Sequence, residues 1–163
     1  MAKVAILMGS SSDFESVKPC TKKLAEFGIE FDVKVISAHR TPLEAAEFSG
    51  NARKNGYEVI IAAAGKAAHL AGVLAAFTTL PVIGIPMKSS TLDGMDSLLS
   101  TVQMPSGVPV ATVAINGSEN AAILAIQILS LKYPELVQRL ESFKKKLADD
   151  VEKMNNEVQE KLK

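Results

Sequence analysis

The sequence predicts an α/β protein in which a parallel sheet of five strands carries helices on both faces. Strand-like and helix-like segments alternate five times along the chain, which is typical of this class. The first strand-like run, Val4-Ala5-Ile6-Leu7-Met8, is continuously apolar, as expected for a strand that is buried on both faces. The length of 163 residues, with 47% hydrophobic and 22% charged residues, suits one soluble domain of this kind.

The first half of the chain supplies three strands and two helices. Gly28 is a stop signal for the first helix, and Pro19 should kink that helix or lie in its first turns. Pro42 suits the first position of the second helix, with Thr41 as its N-cap. The predicted elements are a strand over 4–8, a helix ending near 27, a strand over 32–36, a helix from 42 to about 56 and a strand over 58–63.

The second half continues the alternation with a longer connection. A helix rich in small residues is predicted over about 70–78, followed by a strand over 82–85. Residues 86–109 read as a long loop with a helix, and residues 110–115 as the fifth strand. Ser118 is a candidate cap for a helix over about 119–131.

The last thirty residues differ from the rest. Residues 134–163 hold 14 charged residues, seven of each sign, so we divide the chain into an α/β domain, 1–133, and an amphipathic helix, 134–163. One apolar stripe runs along this helix, with spacings of three and four residues: Leu136, Leu140, Phe143, Leu147, Val151, Met154, Val158 and Leu162. The stripe either contacts another subunit, which we favour, or packs on its own domain with a frayed end.

Several function classes lose support. The 18 basic and 18 acidic residues cancel, which argues against nucleic-acid or anionic-membrane partners, and no apolar run has the length of a membrane span. The dinucleotide fingerprint, the P-loop, the hydrolase nucleophile elbow and any metal-ligand spacing are absent, which argues against NAD, ATP and serine-hydrolase chemistry and against a metal site. Cys20 is the only cysteine, which fits a reducing, cytoplasmic compartment and a packing role.

Four polar loops follow the strands, at 9–13, 37–42, 63–69 and 86–96. Because the carboxyl ends of parallel strands share one edge, these loops should meet and form a ligand site. In the first loop, Ser10, Ser12 and Asp13 precede a helix, where backbone N–H groups favour an anion and a carboxylate suits a ribose diol. The equally weighted alternative is that Ser12 or Asp13 only caps the helix.

The second and third loops hold the two histidines of the chain. His39 stands beside Arg40, which places a group that titrates near neutrality next to a guanidinium that can fork onto a phosphate or carboxylate. The alternative is a loop hydrogen bond for His39 and a surface ion pair for Arg40. His69 lies in a loop with Gly65, whose backbone can approach a ligand closely, and structural and functional roles for His69 stay open.

Five motifs occur along this chain in an order that matches one known protein family. They are Met8-Gly9-Ser10-Ser11-Ser12-Asp13, Ser37-Ala38-His39-Arg40-Thr41-Pro42, Ala67-Ala68-His69-Leu70, Asp96-Ser97-Leu98 and the segment from Gln103 to Val110. The chain resembles the bacterial 5-(carboxyamino)imidazole ribonucleotide mutases. The resemblance implies a flavodoxin-like three-layer fold, a homo-octamer, and a step of purine synthesis in which a carboxylate moves from an exocyclic amine to ring carbon 4. It implies no cofactor.

The same resemblance implies roles for individual residues. His39 is the general acid/base that gives and then takes a proton. Ser10 and Arg40 bind the phosphate side of the ribonucleotide, and Asp13 holds the ribose with Ser12 nearby. Ser37, Gly65 and His69 complete the substrate-binding set.

The chain departs from its relatives at one position of the third loop. The family loop reads Gly-Ala-Gly-Gly-Ala-Ala-His-Leu-Pro-Gly, and here Lys66 replaces a glycine. A lysine with positive φ would be strained. We favour a solvent-facing Lys66 side chain without a role over the alternative, an ammonium that points into the pocket and attracts a carboxylate or phosphate. Arg40 and the Ala-Ala-His-Leu segment favour the mutases over a related branch that carboxylates aminoimidazole ribonucleotide with free carbon dioxide. A flavin- or nucleotide-binding module is the alternative of another class, though only two tyrosines and no tryptophan are present.

Overall fold

A computed structural model describes residues 2–162, so Met1 and Lys163, the outer ends of the predicted domain and tail, lie outside the described residues. It contains a five-stranded parallel sheet in the order β2-β1-β3-β4-β5. The strands are β1 (Lys3–Met8), β2 (Glu30–Val35), β3 (Val59–Gly65), β4 (Val82–Met87) and β5 (Ala111–Thr112). The helices are α1 (Phe14–Glu26), α2 (Pro42–Asn51), α3 (Leu70–Phe77), α4 (Met95–Val102), α5 (Ser118–Ser130) and α6 (Glu135–Lys161).

This strand order is the flavodoxin-like one, so the predicted fold class is confirmed. Alternate residues of the central strands face two separate apolar layers. One layer joins the sheet to α1, α5 and the start of α6 through Ile6, Leu24 and Ile126, and the other joins it to α2 and α3 through Leu7 and Leu74. β4 is buried over its whole length, which explains its continuous apolar run.

Gly84 shows why one strand position needs the smallest residue. A Cβ atom built on Gly84 in β4 would collide with the side-chain methyl of Thr101 in α4 and would also crowd Val110. The hydroxyl of Thr101 is turned away from the sheet and donates to the Ser97 carbonyl at 2.7 Å. Glycine in β4 therefore lets α4 approach the sheet closely, and α4 follows directly from the loop after β4.

Three local predictions were wrong. The fifth strand has two residues instead of six, because Asn116 takes a left-handed φ of 56° and its N–H donates to the Pro86 carbonyl, which turns the chain out of the ladder. α2 ends at Asn51 and turns, instead of a helix, lead to Gly56, which has a φ of 86°. Ser118 is the first residue of α5 instead of its cap, since its hydroxyl donates to the Ser16 carbonyl at 2.6 Å.

The predicted start of α2 is confirmed, but the reason differs. Thr41 precedes Pro42 as expected, yet its side chain makes no capping hydrogen bond to the helix. The Thr41 hydroxyl accepts from the Ser37 N–H at 3.1 Å and donates to the Ser37 carbonyl at 3.2 Å. Thr41 therefore closes the loop that carries His39 and Arg40.

The apolar stripe of α6 divides into two parts. Leu136 is buried against α5 and α1, and Leu140 and Phe143 pack on the same core. The residues after this point are 44–76% exposed: Leu147, Val151, Met154, Val158 and Leu162. The first third of the 27-residue helix therefore belongs to the domain core, and the outer part presents an uncovered apolar face. No helix among residues 2–162 is long and apolar enough to cross a bilayer.

Candidate active site

The loops after β1, β2, β3 and β4 line a cleft of about 600 Å³ at the carboxyl ends of the strands. The cleft lies where β1 stands between β2 and β3, which is the switch point of this strand order. All eight residues singled out from the sequence line it: Ser10, Ser12, Asp13, Ser37, His39, Arg40, Gly65 and His69. The structure therefore brings together side chains that are up to 59 residues apart in the sequence.

Hydrogen bonds within the loops fix the side of the cleft formed by β1 and β2. The Arg40 guanidinium donates to the Gly9 carbonyl at 2.8 Å, which ties the second loop to the first. The Ser37 hydroxyl accepts from the Arg40 backbone N–H at 3.2 Å and from its Nε at 3.3 Å. The Nε and Nη2 atoms of the guanidinium thus each donate one hydrogen bond within the protein, and the remaining N–H groups can donate to an anion.

The serines of the first loop form a small donor cluster. The Ser10 hydroxyl accepts from the Ser12 N–H at 3.3 Å and contacts the Ser12 hydroxyl at 2.8 Å. Ser10 is the N-cap of the single turn Ser11–Asp13 that leads into α1. The capping alternative named Ser12 or Asp13, but the structure puts the cap at Ser10, and Asp13 makes no side-chain cap on α1.

Asp13 is partly buried at the floor of the first loop. This burial raises the pKa of its carboxyl group above the usual value of 3.8, because the charged form loses solvation. A carboxylate held in this way is a poor neighbour for a phosphate and a good acceptor for neutral hydroxyl groups. The contact of Asp13 with a ribose diol stays a prediction.

The two histidines meet across the cleft. His39 Nε2 lies 2.7 Å from His69 Nδ1, and the rings are nearly perpendicular at 84°. One of these two nitrogens must carry the hydrogen and the other must accept it. The pair can therefore hold a single proton between two exposed rings, at the mouth of the cleft.

The third and fourth loops add two cations to the cleft lining. Lys66 is exposed at the lining of the cleft and has a left-handed φ of 56°, the conformation in which lysine is strained. Lys88 follows β4 directly, and its Nζ lies 3.4 Å from Asp93 Oδ1. The sequence reasoning singled out the fourth loop but missed Lys88, although its position immediately after a buried strand was a usable signal.

Other candidate chemistry lies outside the cleft. Cys20 is fully buried in α1, and burial raises the pKa of its thiol to about 12, so it is a packing residue. Among residues 2–162 there is no group of three histidine, cysteine or acidic side chains placed to hold a metal ion.

Comparison with known proteins places the chain in a family. Residues 3–150 match the AIR carboxylase family over the sheet, the cleft and the first part of α6. The chain belongs to the AIR carboxylase family. This membership confirms the resemblance drawn from the five motifs.

Individual members of the AIR carboxylase family are similar over nearly their whole lengths. An N5-carboxyaminoimidazole ribonucleotide mutase of Pyrococcus abyssi is 56% identical over 144 residues, which cover 88% of this chain and 83% of that protein. A protein of the same name from Thermotoga maritima is 53% identical over 151 residues, which cover 93% of this chain and 88% of the relative. The crystal structure of Treponema denticola PurE superposes with a TM-score of 0.85 at 30% identity and covers 93% of this chain and 94% of the other.

Proposed function

We propose that the cleft converts 5-(carboxyamino)imidazole ribonucleotide into 4-carboxy-5-aminoimidazole ribonucleotide, with His39 as the general acid/base. The reaction class is that of a mutase, an isomerase of purine biosynthesis, since mutases at 53–56% identity align with most of the chain. The assignment of the individual residues is our own. The observation that carries it is the contact of His39 with His69 inside a cleft that also contains Arg40.

The proposed reaction moves one carboxylate and one proton. His39 in its protonated form donates a proton to the exocyclic nitrogen, and the N–C bond to the carboxylate breaks, with its electron pair remaining on nitrogen. Carbon dioxide is released inside the cleft. Ring carbon 4 then attacks carbon dioxide, and the electron pair of the broken C–O π bond becomes the carboxylate charge. Neutral His39 finally removes the proton from carbon 4, which restores the aromatic ring and the protonated histidine.

The rest of the cleft serves binding and retention. Ser10 and Arg40 supply O–H and N–H donors for the phosphate group, and Asp13, with Ser12 nearby, accepts hydrogen bonds from the ribose hydroxyls. Ser37 orients the Arg40 guanidinium. The Gly65 backbone and His69 bound the space in which carbon dioxide is held beside the ring, so that recapture competes with escape.

An activity assay with two substrates tests this function. We expect the purified protein to convert 5-(carboxyamino)imidazole ribonucleotide without ATP, and to turn over aminoimidazole ribonucleotide with bicarbonate far more slowly. Turnover only in the second assay would assign the chain to the carboxylases that use free carbon dioxide. A tightly bound yellow chromophore with no turnover in either assay would instead support a flavin-binding module.

We also propose that the outer part of α6 contacts other subunits of a homo-octamer. The support is the uncovered apolar face of Leu147, Val151, Met154, Val158 and Leu162, which would expose an extended hydrophobic patch on a monomer. A reducing, cytoplasmic compartment belongs to the same proposal, supported by the single buried thiol of Cys20.

Charge substitutions on this face test the assembly. Val151→Lys with Met154→Lys should lower the mass measured by sedimentation equilibrium, because lysine in a buried contact is costly. Asn156→Lys with Glu160→Gln adds the same two positive charges on the opposite, exposed face of the helix and is the matched control that should keep the parent mass. An unchanged mass for the first variant would show that the stripe makes no subunit contact.

A further inference from the structure

Two lysines stand side by side where neighbouring strands enter the cleft. Gly65 of β3 and Met87 of β4 are Cα partners in the parallel ladder. Lys66 directly follows Gly65, and Lys88 directly follows Met87. Neighbouring strands lie about 4.8 Å apart, so the two lysines begin at adjacent positions. Both lysines line the cleft.

This arrangement is unfavourable in the free protein. Lys66 has a φ of 56°, which costs a residue with a Cβ atom about 1 kcal/mol relative to glycine. Within residues 2–162, no carboxylate oxygen lies within 4 Å of Lys66 Nζ, and Lys88 has only the exposed Asp93 as its ion-pair partner. A strained backbone and two neighbouring like charges at a cleft indicate a site where a ligand supplies the missing interaction.

The position of the pair within the cleft identifies the part of the ligand it faces. Arg40, Ser10 and Ser12 lie in the loops after β2 and β1, whereas the two lysines follow β3 and β4. Lys66 is three residues before His69, which contacts His39, so the lysines share their half of the cleft with one member of the histidine pair. The phosphate group and the reacting group of a ribonucleotide are at its two ends.

We propose that Lys66 and Lys88 form an anion subsite that binds the carboxylate group which moves during the reaction. This proposal rests on the proposed function and deepens it, because it selects the pocket-facing alternative for Lys66, adds Lys88 and names the carboxylate as their ligand. The two ammonium groups attract the carboxylate before and after transfer. They thereby keep the reacting end of the ribonucleotide against the histidine pair.

Equilibrium binding of two ribonucleotides isolates this subsite. 4-Carboxy-5-aminoimidazole ribonucleotide carries the carboxylate, and aminoimidazole ribonucleotide lacks it, while both carry the phosphate. The variant Lys66→Met keeps the side-chain length and removes the charge, and Lys88→Met does the same on β4. Lys22→Met, on an exposed position of α1 outside the cleft lining, is the matched control.

We expect isothermal titration calorimetry to show a Kd for the carboxylated ribonucleotide that is raised about tenfold in Lys66→Met, the usual effect of losing one hydrogen bond to a charged group. The double variant should lose more. The Kd for aminoimidazole ribonucleotide should change less than about twofold in every variant, and Lys22→Met should resemble the wild type with both ligands.

Each other outcome is decisive. Equal losses for both ribonucleotides would overturn the proposal and assign the lysines to the phosphate group. Unchanged Kd values for both ligands would overturn it too, and the lysines would then have no anion to bind. Lys66→Gly, which removes the charge and relieves the backbone, provides the same test should Lys66→Met fold poorly. Wild-type turnover with unchanged variant affinities rejects only the subsite, whereas a wild-type protein that neither turns over nor binds the carboxylated ribonucleotide rejects the proposed function.

Discussion

The cleft has two halves that the protein builds in different ways. The grip half consists of the loops after β1 and β2, and the reactive half of the loops after β3 and β4. In the grip half, Arg40 donates to Gly9 and to Ser37, so the main cation is held by the protein itself. In the reactive half, Lys66, Leu92 and Asp93 all have left-handed φ values of 52–56°, and Lys66 has no carboxylate partner within residues 2–162.

The grip half is thus preorganised for binding, whereas the reactive half has a strained backbone. Donors that are already oriented cost little further entropy when a ligand binds, so the grip half suits the constant parts of a ribonucleotide. The reactive half holds unfavourable conformations and charges that only a ligand can compensate. Substitutions in the grip half should therefore weaken ligands in general, whereas those in the reactive half should change stability and discrimination.

The largest effect is expected at the contact between the halves. His39→Asn should lower kcat by about 10²–10⁴-fold, since it removes the proton shuttle, and should leave ribonucleotide affinity nearly intact. Steady-state assays of 5-(carboxyamino)imidazole ribonucleotide conversion measure kcat, and parallel binding measurements give the ribonucleotide affinity. His69→Asn is the matched variant and should have the smaller effect on kcat. Near-normal turnover by His39→Asn, or a larger loss in His69→Asn, would move the acid/base role away from His39.

Arg40→Met should weaken every phosphorylated ligand. Loss of a charge-assisted, forked interaction corresponds to about 10–100-fold in Kd, and the loss should be equal with and without the transferred carboxylate. Calorimetric titration with both ribonucleotides measures it. Arg53→Met is the control, because Arg53 donates to Thr79 outside the cleft lining. A loss restricted to the carboxylated ligand would invert the assignment of the two halves.

A smaller effect on folding is expected at Lys66. Lys66→Gly should raise the free energy of unfolding by about 1 kcal/mol, because glycine adopts a positive φ without the Cβ clash. Lys66→Ala removes the same charge but keeps the clash, so it should gain less. Urea denaturation at one protein concentration compares them. An equal gain in both variants would attribute the instability to the ammonium charge and not to the backbone.

The smallest effect concerns Asp13 and pH. Burial raises the pKa of its carboxyl in the folded chain, so its contribution favours the fold below the usual pKa of 3.8 and is lost as the pH rises through the raised value. Asp13→Asn should therefore have a slightly higher unfolding midpoint than the wild type at neutral pH. The two midpoints should converge below the usual carboxyl pKa. Thermal unfolding followed from pH 3 to 8 measures the difference, and a lower midpoint for the variant at neutral pH would contradict it.

Continuous apolar runs made much of the fold predictable from sequence. β1, β3 and β4 are fully sandwiched, so each is a run of aliphatic residues, and the loops that follow them could be placed at one edge of the sheet. β5 was too long in the prediction because the apolar residues continue past the regular ladder. Val113 packs on the core and its N–H donates to the Gly84 carbonyl, but a turn at residues 115–116 follows. The end of α2 was placed too late because turns also contain small and polar residues.

Long-range side-chain contacts are what the sequence could not reveal. Ser118 looks like a helix cap, and only the packing of α5 on α1 brings its hydroxyl to the Ser16 carbonyl, 102 residues away. The sequence placed His39 and His69 at the same edge, but their contact of 2.7 Å depends on how the loops after β2 and β3 fold over the end of β1. Related loops have a glycine at the position of Lys66, so the sequence could indicate that a lysine would be strained there only if φ were positive. The folded chain shows that φ is 56°.

The helices that follow the loops of the cleft pack on opposite faces of the sheet. The loops that hold the histidines lead into α2 and α3, which share one apolar layer, while the first loop leads into α1, which belongs to the other. Two hydrogen bonds tie the first loop to its neighbours: the Arg40 guanidinium donates to the Gly9 carbonyl, and the Gly9 N–H donates to the Ala63 carbonyl. A substitution that weakens the packing of α1 on the sheet would therefore displace the first loop, while the two histidines would keep their relative positions.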